Sequence, residues 1–480
     1  MSPLSNDAVR DVPVLRAEPD PEEVFFDHLD GLIHDAAARP TSGWKPGRAL
    51  QILLAGYVGA GNVGADMRTI EMIRQLRHLL GMNVAFATIL NGPHTPPYLA
   101  SQAKLLTLDG PIPRSVVDFA LAHDAVVACE GSMLKSSFSN VLSGIMAGAL
   151  GAGVASGRLS VGYGAEVAWM EPVLEGFVRK WLPGSLLLCR NGESTAAATK
   201  LGLRAVLGAD TAWTCQAASP EQARSRLGAL GYDTASPVLA VCPVNPFWWP
   251  VRPNPRRAGA ARDGSSAGAP RYGGMFFHTY DDARKRKYTA YIEGLARAVN
   301  RIAKEQGYSP LIVAMEPIDA TACEDLNLRL DRPAQIVSGH THAIGVVVAI
   351  LREAGLLISS RFHALVAAAP AGKPLIGVAT DERIANLLSS CGAGGALIGA
   401  DAPDLADRII TTARAIDREQ FKHAMWQLVS TQVVQCGKMA IEFTNEVRRC
   451  IPEFPLPERG RGWEAHLPPL PRPIQDILKR

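Results

Sequence analysis

One pattern constrains the fold of this chain more than any other: short apolar runs alternate with helix-period segments, and the alternation runs twice. Leu50–Ala55, Val84–Ile89, Ala125–Cys129, Leu159–Gly162 and Leu186–Cys189 read as buried strands. Between them, Asp66–Leu80, Val116–Ala122 and Asn140–Leu150 read as helices. In the first helix Met67, Ile70, Ile73, Leu76 and Leu80 recur near the spacing of one apolar face. The pattern restarts at Val238–Cys242 and continues through Leu311–Ala314, Ala334–Val337, Gly355–Ile358 and Pro374–Val378. Helices are predicted at Asp281–Glu305, Thr341–Glu353, Asp404–Ile416 and Phe421–Arg448. Strands that alternate with helices require parallel βαβ units with helices on both faces of the sheet.

The expected architecture is therefore α/β. Two Rossmann-like domains would have parallel sheets facing a central cleft, closed by a long C-terminal helix, as in GT-B-type enzymes. The predicted divisions are a loosely held N-terminal tail with at most one short helix (1–48), a first domain (49–215) and a passage with a helix and two Ser-Pro breaks (216–236). A second domain follows (237–450), with a Gly/Pro/Arg-rich insertion at 252–274 read as a mobile loop, and then a proline-rich tail (451–480) that wraps the surface.

A length of 480 residues fits two domains, and 47% hydrophobic with 20% charged residues is ordinary for a globular protein. The net charge of +3 is too small and scattered to argue for nucleic acid or a membrane surface. The eight cysteines form no Cys-x-x-Cys pair and several lie in strand-like runs, which predicts buried, reduced thiols rather than zinc or a redox centre. The first 25 residues have no signal-peptide core, and Gly144–Ala155 is too short to span a bilayer, so a cytoplasmic protein is expected.

Chemistry concentrates at strand ends. Ser359-Ser360-Arg361-Phe362-His363 joins a strand to a small-residue helix, the place where open α/β sheets bind ligands. Arginine suits a carboxylate or phosphate, and histidine moves protons near neutral pH. Gly59-Ala60-Gly61-Asn62-Val63-Gly64 follows the first strand and matches Gly-x-Gly-x-x-Gly, a loop that can bring backbone N–H groups to a phosphate. The second strand ends in Ile89-Leu90-Asn91 without the ribose-binding acid of a dinucleotide enzyme, so lining of a cleft or a tight packed turn outweighs a dinucleotide site. Asp66 is a helix cap, a first-turn acid or a sugar contact. Glu130-Gly131-Ser132, Ser136, Ser137 and Asn140 are further loop candidates for hydroxyls. Trp248-Trp249 can stack on a sugar or anchor a loop, and the Glu316–Asp319 corner also faces the expected cleft. His340 and His342 precede a helix and suit an anion or a packed surface, with no acidic partner in local register for a metal.

The Arg361-x-His363-Ala364 corner followed by Gly372-Lys373-Pro374-Leu375-Ile376-Gly377-Val378 resembles the signature of the polysaccharide pyruvyl transferases. Gly56-Tyr57-Val58-Gly59-Ala60-Gly61-Asn62-Val63-Gly64 is similar to their opening loop, with Ala65 intervening before Asp66. Cys189-Arg190-Asn191-Gly192-Glu193-Ser194 and Gly208-Ala209-Asp210-Thr211-Ala212-Trp213 resemble two further segments, while Glu130-Gly131-Ser132 replaces a triple-glycine turn. Arg383 keeps a positive charge where relatives carry lysine, and Thr380 loses an aromatic residue. The resemblance implies a GT-B-type enzyme that moves pyruvate from phosphoenolpyruvate onto a sugar or glycoconjugate as a ketal, with no metal or organic cofactor. It implies His363 as acid/base and Arg361, Arg383 and Arg190 as anion ligands, with bracing of Asp210 as the alternative for Arg190, the first domain serving the acceptor and the second phosphoenolpyruvate. Gly61, Asn62, Asp66, Ser132 and His340 would line the substrate cleft. A lipid-linked acceptor would require peripheral membrane contact, and the oligomeric state is left open. A nucleotide-sugar glycosyltransferase or epimerase, with Asp381 or Glu382 on the ribose, and a catalytically silent sugar-binding relative are the alternatives.

Overall fold

The structure, a computed structural model, describes residues 19–39, 43–94, 97–108, 111–128, 132–233, 236–262, 271–379 and 381–480. Its first sheet is built from β1 (Leu50–Ala60), β2 (Val84–His94), β3 (Ala103–Thr107), β4 (Ala125–Ala128), β5 (Leu159–Ala165), β6 (Leu186–Cys189) and β7 (Arg204–Leu207). All pairings are parallel, in the order β3-β2-β1-β4-β5-β6-β7. The central strands are apolar along their length because helices cover both faces, which leaves no polar alternation.

The second sheet starts at β8 (Val238–Cys242). A small antiparallel sheet of β9 (Val251–Pro253), β10 (Arg271–Gly273) and β11 (Phe276–His278) follows. The second sheet then resumes with β12 (Ser309–Ala314), β13 (Gln335–Ser338), β14 (Leu356–Ser359), β15 (Leu375–Ala379) and β16 (Leu397–Gly399). Its order is β13-β12-β8-β14-β15-β16, all parallel. Strand order reverses between β1 and β4 in the first sheet and between β8 and β14 in the second. Each reversal opens a crevice at the strands' carboxyl ends.

The long helix Arg418–Cys450 ties the halves together. Its Phe421, Met425, Val429 and Val433 belong to the core of the second domain, and Met439, Ala440, Phe443 and Val447 to that of the first. Among the described residues no helix is long and apolar enough to cross a membrane.

Two segments differ from the sequence expectation. Within the predicted N-terminal tail, Pro21–Ala37 forms a helix whose start is capped by Asp20, which accepts from the Glu22 N–H at 2.7 Å. Phe25, Phe26, Leu29 and Ile33 are buried against the helix Asn140–Ala155, where Gly144 and Gly148 leave room for them. The acids and prolines of this stretch masked an apolar stripe at helical spacing. We expect Leu29→Ala to cost about 2–5 kcal/mol in urea unfolding, as for a core leucine; a residue on a loose tail would change stability by no more than about 0.5 kcal/mol. The second difference is the predicted mobile loop at 252–274, whose described parts form most of β9, the helix Pro255–Arg262 and β10, with β11 just beyond it pairing to both strands. Residues 263–270 of that insertion lie outside the described residues.

Candidate active site

The two strand-order reversals face each other. After β1 the chain passes through Gly61 and Asn62 into the helix Val63–Leu80, where Asn62 is the N-cap and accepts from the Ala65 N–H at 3.0 Å. After β14, the Ser359 hydroxyl accepts from the Arg361 N–H and donates to the Arg361 carbonyl, both at 2.9 Å, and this sharp corner launches the helix Phe362–Ala368. Phe362 is buried in the core, and His363 is presented to the first domain, while Arg361 turns to Asp319 and Glu316 of its own domain. The two corners touch at Gly64. A Cβ there would lie 2.5 Å from His363 Cγ and 2.7 Å from its Cβ.

Alanine normally stabilises a helix relative to glycine by up to about 1 kcal/mol. Here we expect Gly64→Ala to displace the imidazole instead. A shift of about 1 Å in a reacting group costs on the order of 10²-fold in rate. Assay beside thermal unfolding would show activity lost with the fold retained.

His363 sits at the edge of a buried charge network. Its Nε2 lies 3.4 Å from Asp210 Oδ2. Asp210 also accepts from Arg68 Nε at 2.9 Å, from Arg190 Nη1 at 3.3 Å and from the Ala212 N–H at 3.0 Å. Burial works to raise this carboxyl, but Arg68, His363 and Arg190 outweigh it and hold it far below the usual carboxylate range. Arg190 also pairs with Glu166, and Lys135 lies 3.5 Å from the same carboxylate. From there the network crosses the cleft. Lys135 donates to Glu382 at 3.0 Å and lies 3.7 Å from Asp381. Asp381 is gripped by Arg383 at 2.6 Å, and Arg383 Nη1 reaches the Ser132 hydroxyl at 3.4 Å. Burial opposes ionisation of Glu166 and Asp381, yet the surrounding cations keep both below their ordinary values.

Arg361 anchors a second centre. Its Nε donates to Asp319 at 3.0 Å, and its Nη2 pairs with Asp319 and, at 3.1 Å, with Glu316. That edge of the guanidinium is held by carboxylates, and no protein group among the described residues accepts from Nη1. Burial pushes the Asp319 carboxyl up to about 6 against the pull of Arg361. Glu316 accepts from Tyr57 at 2.7 Å and from Asn62 Nδ2 at 2.8 Å, and the Tyr57 hydroxyl meets that of Tyr272.

The glycine loop is thus engaged by the second domain. The Val63 N–H donates to the Met315 carbonyl at 2.8 Å, and Asn62 is held by Glu316. Gly61 lies against the ring of His340, which in turn packs edge-on against His94 at 4.3 Å. Asp66 is a buried first-turn acid of the helix that Asn62 caps. His342 turns away to Arg226, whose Nε lies 2.6 Å from its ring nitrogen. Arg361, His363, Arg190, Arg383 and Ser132 therefore gather around the cleft, while Gly61, Asn62 and His340 form the seam beside it. Cys129, Glu130, Gly131 and Thr380 lie outside the described residues.

Sequence reasoning missed Arg68, Lys135 and Glu166 as members of the network, Tyr57 as a partner of Glu316, and Tyr272 as the partner of Tyr57. A signal existed for three of them. Lys135 is a lone charge after Met133-Leu134, Arg68 occupies the inward stripe of its helix, and Glu166 ends the apolar run of β5. A charge on a buried face needs a partner.

The family resemblance read from the sequence is borne out: the polysaccharide pyruvyl transferase family model, which describes a transferase family, matches residues 156–382. No curated protein sequence matches the chain. Among solved structures, HepE of Anabaena in complex with UDP-glucose superposes with a TM-score of 0.51 at 12% identity, covering 82% of this chain and 100% of that one. UDP-GlcNAc 2-epimerase from Neisseria meningitidis, bound to UDP-GlcNAc, gives 0.48 at 10% identity, covering 83% and 100%. At such identity the likeness to HepE concerns the fold, which is of GT-B type as expected.

Proposed function

We propose that this chain transfers pyruvate from phosphoenolpyruvate to two hydroxyls of a sugar or glycoconjugate, forming a cyclic ketal and releasing phosphate. The observation that carries the reading is the placing of His363. It is oriented by a buried, ionised Asp210 at a wall that also holds Arg190, Arg361 and Arg383, inside the segment that matches the pyruvyl transferase family.

Phosphoenolpyruvate offers a carboxylate and a phosphate, which suit arginine donors. The open Nη1 edge of Arg361 supplies one contact and Arg383 the other, while Arg190, buried between Glu166 and Asp210, holds the wall behind them. His363, as imidazolium, gives its proton to the methylene carbon, which becomes a methyl group, and C2 turns electrophilic. A sugar hydroxyl adds to C2, the C2–O bond to phosphate breaks, and a second hydroxyl closes the ring. Of the two hydroxyl protons, one restores His363 and the other leaves with phosphate. Asp210 stabilises the charged imidazole throughout. The scheme needs no metal or organic cofactor and no nucleic acid, and its reduced thiols suit the cytoplasm. A lipid-linked acceptor would be met by peripheral membrane contact.

A nucleotide-sugar glycosyltransferase or epimerase is the second reading, prompted by the sugar nucleotide held by HepE. Asp381 and Glu382, its ribose candidates, are both engaged by Lys135, and Asp381 by Arg383 as well, which favours the first reading. The deciding assay is phosphate release from phosphoenolpyruvate with a panel of hexosides. Acceptor-dependent release that disappears in Arg361→Ala is expected. Absence of release, with thermal stabilisation by a sugar nucleotide and none by phosphoenolpyruvate, would replace the proposal with the second reading. Hexoside binding without release would leave a silent sugar-binding relative.

A further inference from the structure

An aromatic row at the domain junction takes no part in the scheme above. Trp248 and Trp249 follow β8 side by side, yet they are used differently. Trp248 is buried, and the His278 ring of β11 lies flat on it at 4.1 Å with an interplanar angle of 10°. Trp249 is half-buried. Phe138, Tyr272 and His278 all meet it at steep angles of 86°, 61° and 75°. No described ring is stacked on the Trp249 indole.

The position of Trp249 is set from both domains. The Val251 N–H donates to the Phe138 carbonyl at 2.8 Å, which seats the loop against the first domain. The Phe138 ring carries the ammonium of Lys135 at 4.9 Å and the guanidinium of Arg383 at 4.8 Å. On the other flank Tyr272 meets Tyr57, the partner of Glu316. Trp249 therefore stands between the cationic centre at Arg383 and the carboxylate centre at Glu316.

We propose that Trp249 is the acceptor platform, on which a pyranose ring stacks while its hydroxyl rim reaches the groups at either side. A pyranose suits this place because its C–H face is apolar and its rim is polar, the same division that an indole between two polar centres presents. The proposal rests on the pyruvyl-transfer reading for the role of the sugar, and it adds the subsite that determines acceptor specificity. It also gives the insertion at 252–274 a use: its strand β10 brings Tyr272 against Trp249, beside His278 of the adjoining β11.

The test is saturation-transfer NMR of methyl hexosides with the full chain, comparing wild type, Trp249→Phe and Trp249→Leu, alongside the thermal shift given by phosphoenolpyruvate. Phenylalanine keeps an aromatic face, and leucine keeps apolar bulk without one. We expect the leucine variant to weaken hexoside binding roughly tenfold or more, phenylalanine to retain most of it, and both to keep the phosphoenolpyruvate shift. Unchanged hexoside binding in Trp249→Leu would overturn the proposal, as would loss of both ligands together or failure of wild type to bind any hexoside. If hexosides bind through Trp249 but phosphoenolpyruvate gives no shift, the platform stands and pyruvyl transfer falls.

Discussion

His363→Asn is expected to lower acceptor-dependent phosphate release by about 10²–10⁴-fold, the usual worth of a positioned general acid/base. Asparagine approximates the size of imidazole and can still hydrogen-bond Asp210, so the helix Phe362–Ala368 should keep its place against Gly64. The substitution removes the proton that must reach the methylene carbon and spares the arginines that bind the anion. Phosphoenolpyruvate should therefore still stabilise the variant against heat, while single-turnover measurements show the chemical step slowed. Full activity in His363→Asn would remove histidine from the mechanism. Loss of phosphoenolpyruvate binding together with activity would mean that His363 serves the anion site instead.

Asp210→Asn should produce the largest loss of stability. Arg68 is fully buried and Arg190 nearly so, and Asp210 is the carboxylate common to both. Arg190 retains Glu166, and Arg68 retains the Gly164 carbonyl at 2.8 Å, but the carboxylate shared by these two buried cations is lost. Breaking a buried pair in this way costs about 3–5 kcal/mol, to be read from the urea midpoint.

The same carboxylate fixes an acid limb. Its pKa in the folded protein is depressed far below the ordinary 3.8, so below that value the unfolded chain binds the proton more readily than the native one. Its contribution to stability is therefore complete above about pH 4 and is lost progressively as the pH falls further. Wild type should lose stability steeply in that window, and Asp210→Asn, already weaker at neutral pH, should show a shallower slope. Parallel slopes in the two proteins would show that Asp210 is not the titrating group.

The periodic parts of this fold were legible in the sequence because burial writes directly into residue order. Strands covered on both faces are unbroken apolar runs, as in β1, β4, β6, β8 and β14. Edge or half-covered strands were missed for the complementary reason. In β7 (Arg204–Leu207) the ends are exposed and the middle is half-buried, and β16 (Leu397–Gly399) is only three residues long. The length and burial of the helix Pro21–Ala37 were hidden because its outer face carries the acids that make the segment look like a tail with one short helix.

For the site, the sequence by itself determined which strand ends carry chemistry. A polar corner after an apolar strand is forced to the rim of the sheet, so Arg361, His363 and Arg190 could be singled out, while Asp210 was reached through the family resemblance. Only the tertiary structure decided who partners whom. Arg68 joins Arg190 at Asp210, Arg361 is gripped by Asp319 and Glu316, and Asp381, held by its neighbour Arg383, meets Lys135 across the cleft. The glycine loop, which by its letters suits a phosphate, spends the Val63 N–H on the opposite domain. The physical reason is the difference in range. Burial is a property each residue carries along the chain with a fixed period, whereas a buried charge is satisfied by whichever opposite charge the packing of two domains brings within about 4 Å, and no local spacing records that.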